Sequence, residues 1–466
     1  MLKKFPDLKG SPAHRRRTYR FLLLILLLAA LPRIFLILQV SDNDFFHNDG
    51  HEYLEISRQL SRGNGFSLSF YRWHEMIPPD AEPGKVHPDF VRTPLFPLLG
   101  SALFFLPWDV TCSAKTVSLI LSLLAVYCVF LLGRELAGRE CGLWSAFLFA
   151  GYPYALYYSA SWSTENLFLI CLALSILFLL KALHGHLRNL PLCGFFLGLT
   201  ALTRPTAVLL AVIFPGILWL RFCVAGALKW KREKIRFFRP VPSGLLLQTA
   251  GFLLVFLLVM FPWMYRNKQV GGTWNPATYY DGYIFWLSFS RIMTETYRTL
   301  DTPEYLEISQ KVWNEEHEKK YKMLREKGLS SFMAVAEQWR KWGWEQIRQS
   351  PEDALRMLKN RLVHYWRMCP NLVFLKTWQI WLIRLYFIPV FILAFAGAAI
   401  LFRRLELPTV LLPVFFGMLI SIPFLFVLRF RFPFFAPYVC ILSGAALAWV
   451  RLWAKKMKKI CNPGKE

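Results

Sequence analysis

Residues 21–40 read FLLLILLLAALPRIFLILQV, and this stretch decides the class of the fold. An α-helix needs about 20 consecutive apolar residues to cross the hydrocarbon core of a bilayer. Comparable apolar runs recur along the 466-residue chain, and 55% of its residues are hydrophobic, more than a soluble domain carries. The sequence therefore predicts an all-α, polytopic membrane protein. Because the first run is too long for a signal-peptide core, we interpret it as an uncleaved span.

The length rule predicts about ten spans along the chain. They cover 21–40, 113–134, 142–160, 164–182, 189–204, 205–222, 245–265, 379–402, 408–428 and 433–453. Four basic clusters flank these spans, at 3–20, 229–239, 403–404 and 455–459. With an even number of spans, all four clusters fall on one side of the membrane. The positive-inside rule assigns that side to the cytoplasm.

This topology leaves two long segments, 41–112 and 266–378, outside the cytoplasm. We interpret residues 1–466 as a single membrane domain in which these segments are external loops. In the second loop, apolar residues at helical spacing predict amphipathic helices over 331–349 and 352–367. The net charge of +25 is placed in short clusters beside apolar runs. It therefore indicates membrane topology and contact with anionic lipids rather than nucleic-acid binding.

The start of the first external loop predicts a short amphipathic helix over 50–62, with Asp49 at its beginning. Asp49 and Glu52 have the spacing of a capping box, which favours a structural role for Asp49. A carboxylate just above the membrane is also well placed to accept a proton, so a catalytic role stays open. Glu52 and Glu55 are interpreted as part of a solvated helix face.

Five arginines lie at external helix ends or in the first external loop, where the positive-inside rule predicts few. They are Arg92, Arg204, Arg266, Arg429 and Arg431. A single arginine could snorkel from a helix end. Several guanidinium groups converging from different spans indicate instead a bound anion, and a lipid phosphate would lie at this depth.

Other polar positions near the spans leave alternatives open. Glu165 begins the span 164–182 and is either a functional acid or a residue that offsets the helix dipole. Arg33, inside the first span, is similarly ambiguous. Irregularly spaced loop residues could hold a divalent metal, although solvated polar side chains are the favoured interpretation. These residues are His47, His51, His87, Asp42 and Asp44. The sequence requires no cofactor.

Six segments follow one another in the order of a known family. They are DGHEYLEISRQL (49–60), RTPLFPLL (92–99), YYSASWSTE (157–165), GLTALTRP (198–205), PWMYRN (262–267) and RFRFP (429–433). Together they resemble the membrane glycosyltransferases of the GT-C fold. The greatest similarity is to the bacterial branch related to protein O-mannosyltransferases and aminoarabinose transferases, which is glycosyltransferase family 39-like. Many relatives have a second acid where this chain has Gly50, and this departure weakens a paired-acid or metal role.

The resemblance implies a GT-C transmembrane helix bundle with external juxtamembrane helices and a long external loop. It implies inverting transfer of a sugar from a polyprenyl-phosphate lipid to an acceptor hydroxyl on a lipid, glycan or protein. The reaction would take place at the extracytoplasmic face of the cell membrane, with Asp49 as the catalytic base. The resemblance assigns the donor phosphate to Arg204, Arg266, Arg429 and Arg431, and further substrate contacts to Tyr53, Arg92 and Glu165.

Two other classes of function share some of these features. A transporter or lipid flippase would place polar residues near the bilayer midplane, often with inverted repeats. Here the polar residues gather at one interface and no repeat is evident. A lipid-phosphate hydrolase or phosphotransferase would share the arginines but would also need a histidine near them. A nucleotide-linked donor is not indicated, since the sequence has no Gly-rich strand–turn–helix pattern.

Overall fold

The computed structural model describes residues 12–47, 49–70, 72, 84–233, 243–329, 332–402, 404, 406–423 and 428–461. Over these residues the chain is almost entirely helical, which confirms the all-α prediction. The described residues contain one short antiparallel strand pair, β1 (Ser67–Leu68) and β2 (His87–Pro88). Most of the predicted basic cluster at 229–239 lies outside the description, as do Lys3, Lys4 and Lys9.

Nineteen α-helices follow one another in the described part of the chain. The first ten are α1 (Pro12–Gln39), α2 (Asp42–Phe45), α3 (Asp49–Ser61), α4 (Leu95–Ser101), α5 (Val110–Ala137), α6 (Arg139–Ala150), α7 (Pro153–Tyr157), α8 (Glu165–Leu183), α9 (Leu190–Thr203) and α10 (Leu210–Glu233). The others are α11 (Ser243–Gly271), α12 (Asp281–Phe289), α13 (Arg291–Thr299), α14 (Tyr305–Glu326), α15 (Phe332–Gln349), α16 (Pro351–Tyr365), α17 (Thr377–Leu401), α18 (Leu407–Ser421) and α19 (Leu428–Cys461). Short 3₁₀ helices cover Ala102–Phe105, Tyr158–Ala160, Leu187–Asn189, Pro205–Leu209 and Leu372–Phe374.

Seven of the described helical stretches are long and apolar enough to cross a membrane. They lie in α1, α5, α8, Pro205–Cys223, α11, α17 and α19. Shorter apolar stretches cover Leu95–Phe105, Leu187–Thr203 and Leu407–Ser421. The stretch predicted as one span over 142–160 is not a continuous helix, because α6 ends at Ala150 and α7 starts anew at Pro153. Gly151 and this proline interrupt the helix, since proline cannot continue the hydrogen-bond ladder.

The centre of the bundle is formed by α5, α8 and α19, whose apolar stretches are mostly buried. The stretches of α1, α11 and α17 are mostly exposed, as expected of helices that contact lipid. Helix α17 packs closely on α19 because Gly397 leaves room for the backbone of Leu442, where any Cβ would overlap the Leu442 carbonyl. The helices therefore form an inner layer and an outer, lipid-facing layer.

Arg33, inside the first predicted span, forms hydrogen bonds that connect helices. Its side chain is fully buried, and Nε donates to Ser122 Oγ at 2.8 Å. Nη1 donates to the carbonyls of Ala29 at 2.8 Å and Ala150 at 2.9 Å. Arg33 thus ties α1 to α5 and to the end of α6, because a buried guanidinium must find acceptors.

Helices α12 to α15 share a second hydrophobic core, separate from that of the bundle. Trp286 and Trp339 are its largest buried side chains, with ring centroids 4.5 Å apart. The amphipathic helices predicted over 331–349 and 352–367 are confirmed as α15 and α16. Helix α16 also contacts α18, so this segment is anchored to the bundle.

Candidate functional site

Helix α3 carries Asp49 at its first residue, and the helix predicted over 50–62 is confirmed. Its apolar face is buried, with Tyr53 and Ile56 in the core. Tyr53 packs edge-on against Phe96 of α4, with ring centroids 5.2 Å apart. The position of Asp49 is therefore set by packed helices rather than by a free loop.

Both carboxylate oxygens of Asp49 accept hydrogen bonds from arginines. Arg92 Nη2 donates to Oδ1 and Arg429 Nη1 donates to Oδ2, each at 2.6 Å. Among the described residues, the Asp49 carboxylate binds these two guanidinium groups instead of forming the capping box with Glu52. The structure therefore favours an electrostatic role for Asp49 over the role of a helix cap.

The surroundings of Asp49 keep it ionised. Burial raises the pKa of its carboxyl group, but the charges of Arg92 and Arg429 and their hydrogen bonds outweigh burial and lower this pKa well below its ordinary value. About 30% of the Asp49 side chain is exposed, so a substrate can reach it. Asp49 is thus an accessible carboxylate that is a weak base while both arginines hold it.

Glu165 is the first residue of α8 and is fully buried. It accepts hydrogen bonds from Arg204 Nη2 and from Arg429 Nε. Arg204 follows the last residue of α9 in an extended conformation, as expected of a residue before Pro205. Since a buried carboxylate must be paired, Glu165 holds Arg204 and Arg429 beside each other.

Arg92 extends the arrangement on the other side of Asp49. Arg92 Nε donates to Glu52 Oε2 at 2.7 Å, and the same oxygen accepts from Arg72 Nε at 2.6 Å. Arg72 Nη1 donates to the fully buried Asp89 at 2.6 Å. Asp89 also accepts the backbone N–H of Arg92 at 2.8 Å. It therefore fixes both the main chain of Arg92 and one of the partners of Glu52.

The interpretation of Glu52 and Glu55 as a solvated helix face is wrong. Glu52 lies between two arginines with 17% of its side chain exposed. Glu55 is buried and accepts from Gln59 Nε2 and Ser69 Oγ, each at 2.6 Å. The segment that follows α3 folds back over this face, which gives the acids polar partners in place of water.

Eight side chains form one continuous series, which we call the ion-pair chain. In spatial order they are Arg204, Glu165, Arg429, Asp49, Arg92, Glu52, Arg72 and Asp89. Arginines alternate with acids, so the formal charges cancel. An incoming anion must compete with a carboxylate for each guanidinium group. Asp49 is the most exposed of the four acids and is the one that an anion can displace most readily.

Two of the predicted arginines lie apart from the ion-pair chain. Arg266 Nη2 donates to the carbonyl of Phe66 at 3.0 Å, and aromatic rings surround its guanidinium group. Arg431 is buried and donates to the carbonyl of Tyr365. Both side chains therefore hold backbone segments in place in this arrangement.

Five of the predicted site residues belong to the ion-pair chain. They are Asp49, Arg92, Glu165, Arg204 and Arg429. Tyr53 borders them, with its ring centre 5.3 Å from the guanidinium carbon of Arg92. Sequence reasoning missed Glu52, Arg72 and Asp89 as members. Glu52 lies one helical turn from Asp49, which was an available signal. Arg72 and Asp89 lie in irregular segments, where no periodicity indicates a partner.

The alternatives of a metal site and a second acid have little support in the geometry. Across the described part of the chain, no group of three or more His, Cys, Asp or Glu side chains could hold a metal ion. His47 Nδ1 lies 2.6 Å from the carbonyl of Asp44. Gly50 is buried, and a Cβ there would lie 3.1 Å from the carbonyl oxygen of Trp162. A second acid at this position would therefore require the neighbouring backbone to shift.

One protein family model and several solved structures are similar to this chain. The family model described as "Dolichyl-phosphate-mannose-protein mannosyltransferase" matches residues 87–238. The oligosaccharyltransferase of Archaeoglobus fulgidus in its apo form is similar in structure, with a TM-score of 0.54, 16% identity, and coverage of 95% of this chain and 52% of the other. The oligosaccharyltransferase AglB from Archaeoglobus fulgidus, in complex with an inhibitory peptide and a dolichol-phosphate, gives a TM-score of 0.54 with 15% identity. The match covers 96% of this chain and 52% of the other. ArnT from Cupriavidus metallidurans bound to undecaprenyl phosphate gives a TM-score of 0.37 with 12% identity. The match covers 94% of this chain and 78% of the other.

The match of the family model and the similarity to the oligosaccharyltransferase structures confirm the GT-C fold and the resemblance to GT-C glycosyltransferases that the sequence predicted. The chain spans about half the length of the oligosaccharyltransferase chains it matches. No curated protein sequence matches it.

Proposed function

We propose that this protein transfers a sugar from a polyprenyl-phosphate lipid to an acceptor hydroxyl, with inversion, at the outer face of the cell membrane. The observation that carries the proposal is the contact of the exposed carboxylate of Asp49 with Arg429, which also contacts Glu165. A base and a cation for a leaving phosphate thus lie side by side. The dolichol-phosphate in the similar AglB structure supports a polyprenyl-phosphate donor.

In the proposed reaction, Asp49 acts on the acceptor hydroxyl and Arg429 acts on the leaving phosphate. The acceptor oxygen attacks the anomeric carbon, and the bond from that carbon to the phosphate oxygen breaks. The phosphate leaves with the bonding electrons and needs no proton. Asp49 accepts the proton of the acceptor hydroxyl, while Arg204 and Arg429 stabilise the charge that develops on the phosphate.

The ion-pair chain adds a condition to this mechanism. Asp49 is a weak base while Arg92 and Arg429 both hold it. A donor phosphate that takes hydrogen bonds from Arg429 removes one of these partners and adds negative charge nearby. Both changes raise the pKa of Asp49. Donor binding therefore prepares the base, and the carboxylate gains basicity only when a substrate is present.

The remaining predicted residues have supporting roles in this proposal. Arg92 stays on Asp49 and orients it, and Tyr53 packs beneath the guanidinium group of Arg92. Arg266 and Arg431, which donate to backbone carbonyls, hold the flanking segments rather than the phosphate.

The proposal is tested with purified protein and a panel of synthetic undecaprenyl-phosphate-linked hexoses and pentoses. Free undecaprenyl phosphate is measured with and without an added acceptor. Release that depends on the acceptor, with the inverted anomer in the product, is the expected result. Release without acceptor would indicate a hydrolase. Movement of intact lipid between the leaflets of proteoliposomes without release would indicate a flippase. Either outcome contradicts the proposal.

A further inference from the structure

A polar cavity lies at the end of the bundle opposite the ion-pair chain. It has a volume of about 300 Å³ and lies where α1 meets α5 and α6. Its charged lining includes Arg15 at the start of α1, Arg134 near the end of α5, and Arg139 at the start of α6. Cavities of this size are large enough for a small polar group.

These three arginines have no carboxylate partner within 4.0 Å in the part of the chain that the structure describes. This sets them apart from the arginines of the ion-pair chain, each of which contacts at least one acid. Arg134 is only partly exposed, and its guanidinium carbon lies 5.5 Å from the ring centre of Phe130. Guanidinium groups that are not in contact with a carboxylate favour an anion, above all a phosphate.

The acid in the cavity lining is already engaged. Glu135 Oε1 lies 2.9 Å from His184 Nδ1. Hydrogen bonds to Glu135 and to Glu406 raise the pKa of His184 to about 9, so this histidine is positively charged at neutral pH. Glu135 thus interacts with His184 and with the charge of Arg134, so this single acid does not balance three arginines and the cavity keeps an excess of positive charge.

The cavity opens beside a surface suited to acyl chains. Tyr19 lines the cavity and is exposed, as is usual for aromatic side chains at a membrane interface. The next turns of α1 expose Leu23, Leu24 and Leu27. A molecule with a phosphate in the cavity would thus meet an apolar helix face one turn away.

We propose that this cavity binds the phosphate headgroup of an anionic phospholipid, whose acyl chains lie along the exposed face of α1. With the topology inferred from the basic clusters, this lipid comes from the cytoplasmic leaflet. The site is distinct from that of the sugar donor, and it does not depend on the function proposed above. Its role is to fix α1 against α5 and α6 through a bound lipid.

The test uses purified protein in neutral detergent, supplied with equal amounts of phosphatidylglycerol and phosphatidylcholine. Native mass spectrometry counts the lipids that each chain retains. The cavity variant carries Arg134→Gln and Arg139→Gln. The control variant carries Arg16→Gln and Arg188→Gln. The control removes the same charge from exposed positions at the same end of the bundle, outside the cavity.

Wild type and the control variant are expected to retain one phosphatidylglycerol, and the cavity variant at least about tenfold less, since it loses two charge-assisted contacts. An equal loss in both variants, or equal retention of phosphatidylcholine by wild type, would overturn the proposal. A parallel sample receives inorganic phosphate in place of lipid. If phosphate alone raises the melting temperature as much as phosphatidylglycerol does, the ligand is a soluble phosphate and the lipid assignment is wrong. The single variants Arg134→Gln and Arg139→Gln decide the matter if the double variant does not fold.

Discussion

Asp49 and Arg429 lie 380 residues apart in the chain, yet Arg429 Nη1 donates to Asp49 Oδ2 at 2.6 Å. The contact joins the start of the first external loop to the beginning of the last long helix. Because Arg429 also binds Glu165 at the start of α8, one guanidinium group links three distant segments.

Replacing Asp49 with Asn removes the proton-accepting carboxylate while keeping the size of the side chain. We expect turnover of a polyprenyl-phosphate sugar to fall by about 10²- to 10⁴-fold, the usual worth of a general base. Affinity for undecaprenyl phosphate should persist or increase, because Arg429 loses a competing acid. The measurements are turnover, lipid affinity and melting temperature of the same preparation. Near-normal turnover in a folded Asp49→Asn protein would exclude Asp49 from the mechanism.

The exchange of Asp49 for a donor phosphate on Arg429 predicts two different pH profiles. In the free enzyme the lowered pKa of Asp49 keeps it ionised even in acid, so kcat/KM should show no acid limb from this group in the measurable range. In the enzyme–donor complex the pKa of Asp49 rises, so an acid limb in kcat should appear at higher pH. Steady-state kinetics across pH 4 to 8, roughly the range around ordinary carboxyl pKa values, would compare the two limbs. Identical limbs would contradict the exchange.

Arg429 and Arg431 lie two residues apart on α19 and should respond differently to substitution. Arg429→Gln removes a proposed phosphate contact, so affinity for undecaprenyl phosphate should fall by about 10- to 100-fold, the worth of one charge-assisted hydrogen bond. Arg431→Gln removes a buried donor from the Tyr365 carbonyl. It should lower the melting temperature and leave the affinity of the folded protein unchanged. The reverse pattern would move the phosphate site to Arg431.

Asp89 is predicted to support Arg92 through the Arg92 backbone N–H and through Arg72. Asp89→Asn leaves the buried Arg72 with Glu52 as its remaining acid in the ion-pair chain, and removal of a buried charge partner costs up to about 3–5 kcal/mol of unfolding free energy. Chemical denaturation measures this loss. Ser69→Ala alters a neighbouring partner of Glu55 without touching the ion-pair chain and is the matched control. A stable Asp89→Asn protein with normal activity would remove Asp89 from the support of the site.

The proposed topology predicts which ends of the bundle a reagent can reach. In a background without reactive cysteines, Glu318→Cys on α14 should be labelled by an impermeant maleimide in intact cells. His186→Cys, in the short connection between α8 and α9, should be labelled only after permeabilisation. Both positions are exposed in the structure. Labelling of residue 186 from outside would invert the assignment of the site to the outer face.

The sequence predicted most of the helices and five members of the ion-pair chain, because apolar periodicity and charge at helix ends are local signals. Arg429 and Arg431 are close in sequence, and the sequence analysis predicted the same phosphate-binding role for both. Residues two apart on a helix face different directions, so only one of them meets Asp49. Arg72 and Asp89 could not be predicted, since their pairing depends on how irregular segments fold over α3. The end of α6 near Gly151 shows how a short turn can interrupt an apolar run without changing its composition.

The separation of Asp49 from Arg429 also bears on biogenesis. At about 5–20 residues per second, synthesis of the 380 residues between them takes roughly 20–75 seconds. Until Arg429 is made, Asp49 has at most one of its two arginine partners, Arg92, and Glu165 can pair only with Arg204. The arrangement is therefore completed only when α19 has been synthesised. A chain truncated before α19, or one in which α19 is misinserted, would carry the acids but not the guanidinium group that joins them, so activity is tied to the correct insertion of α19.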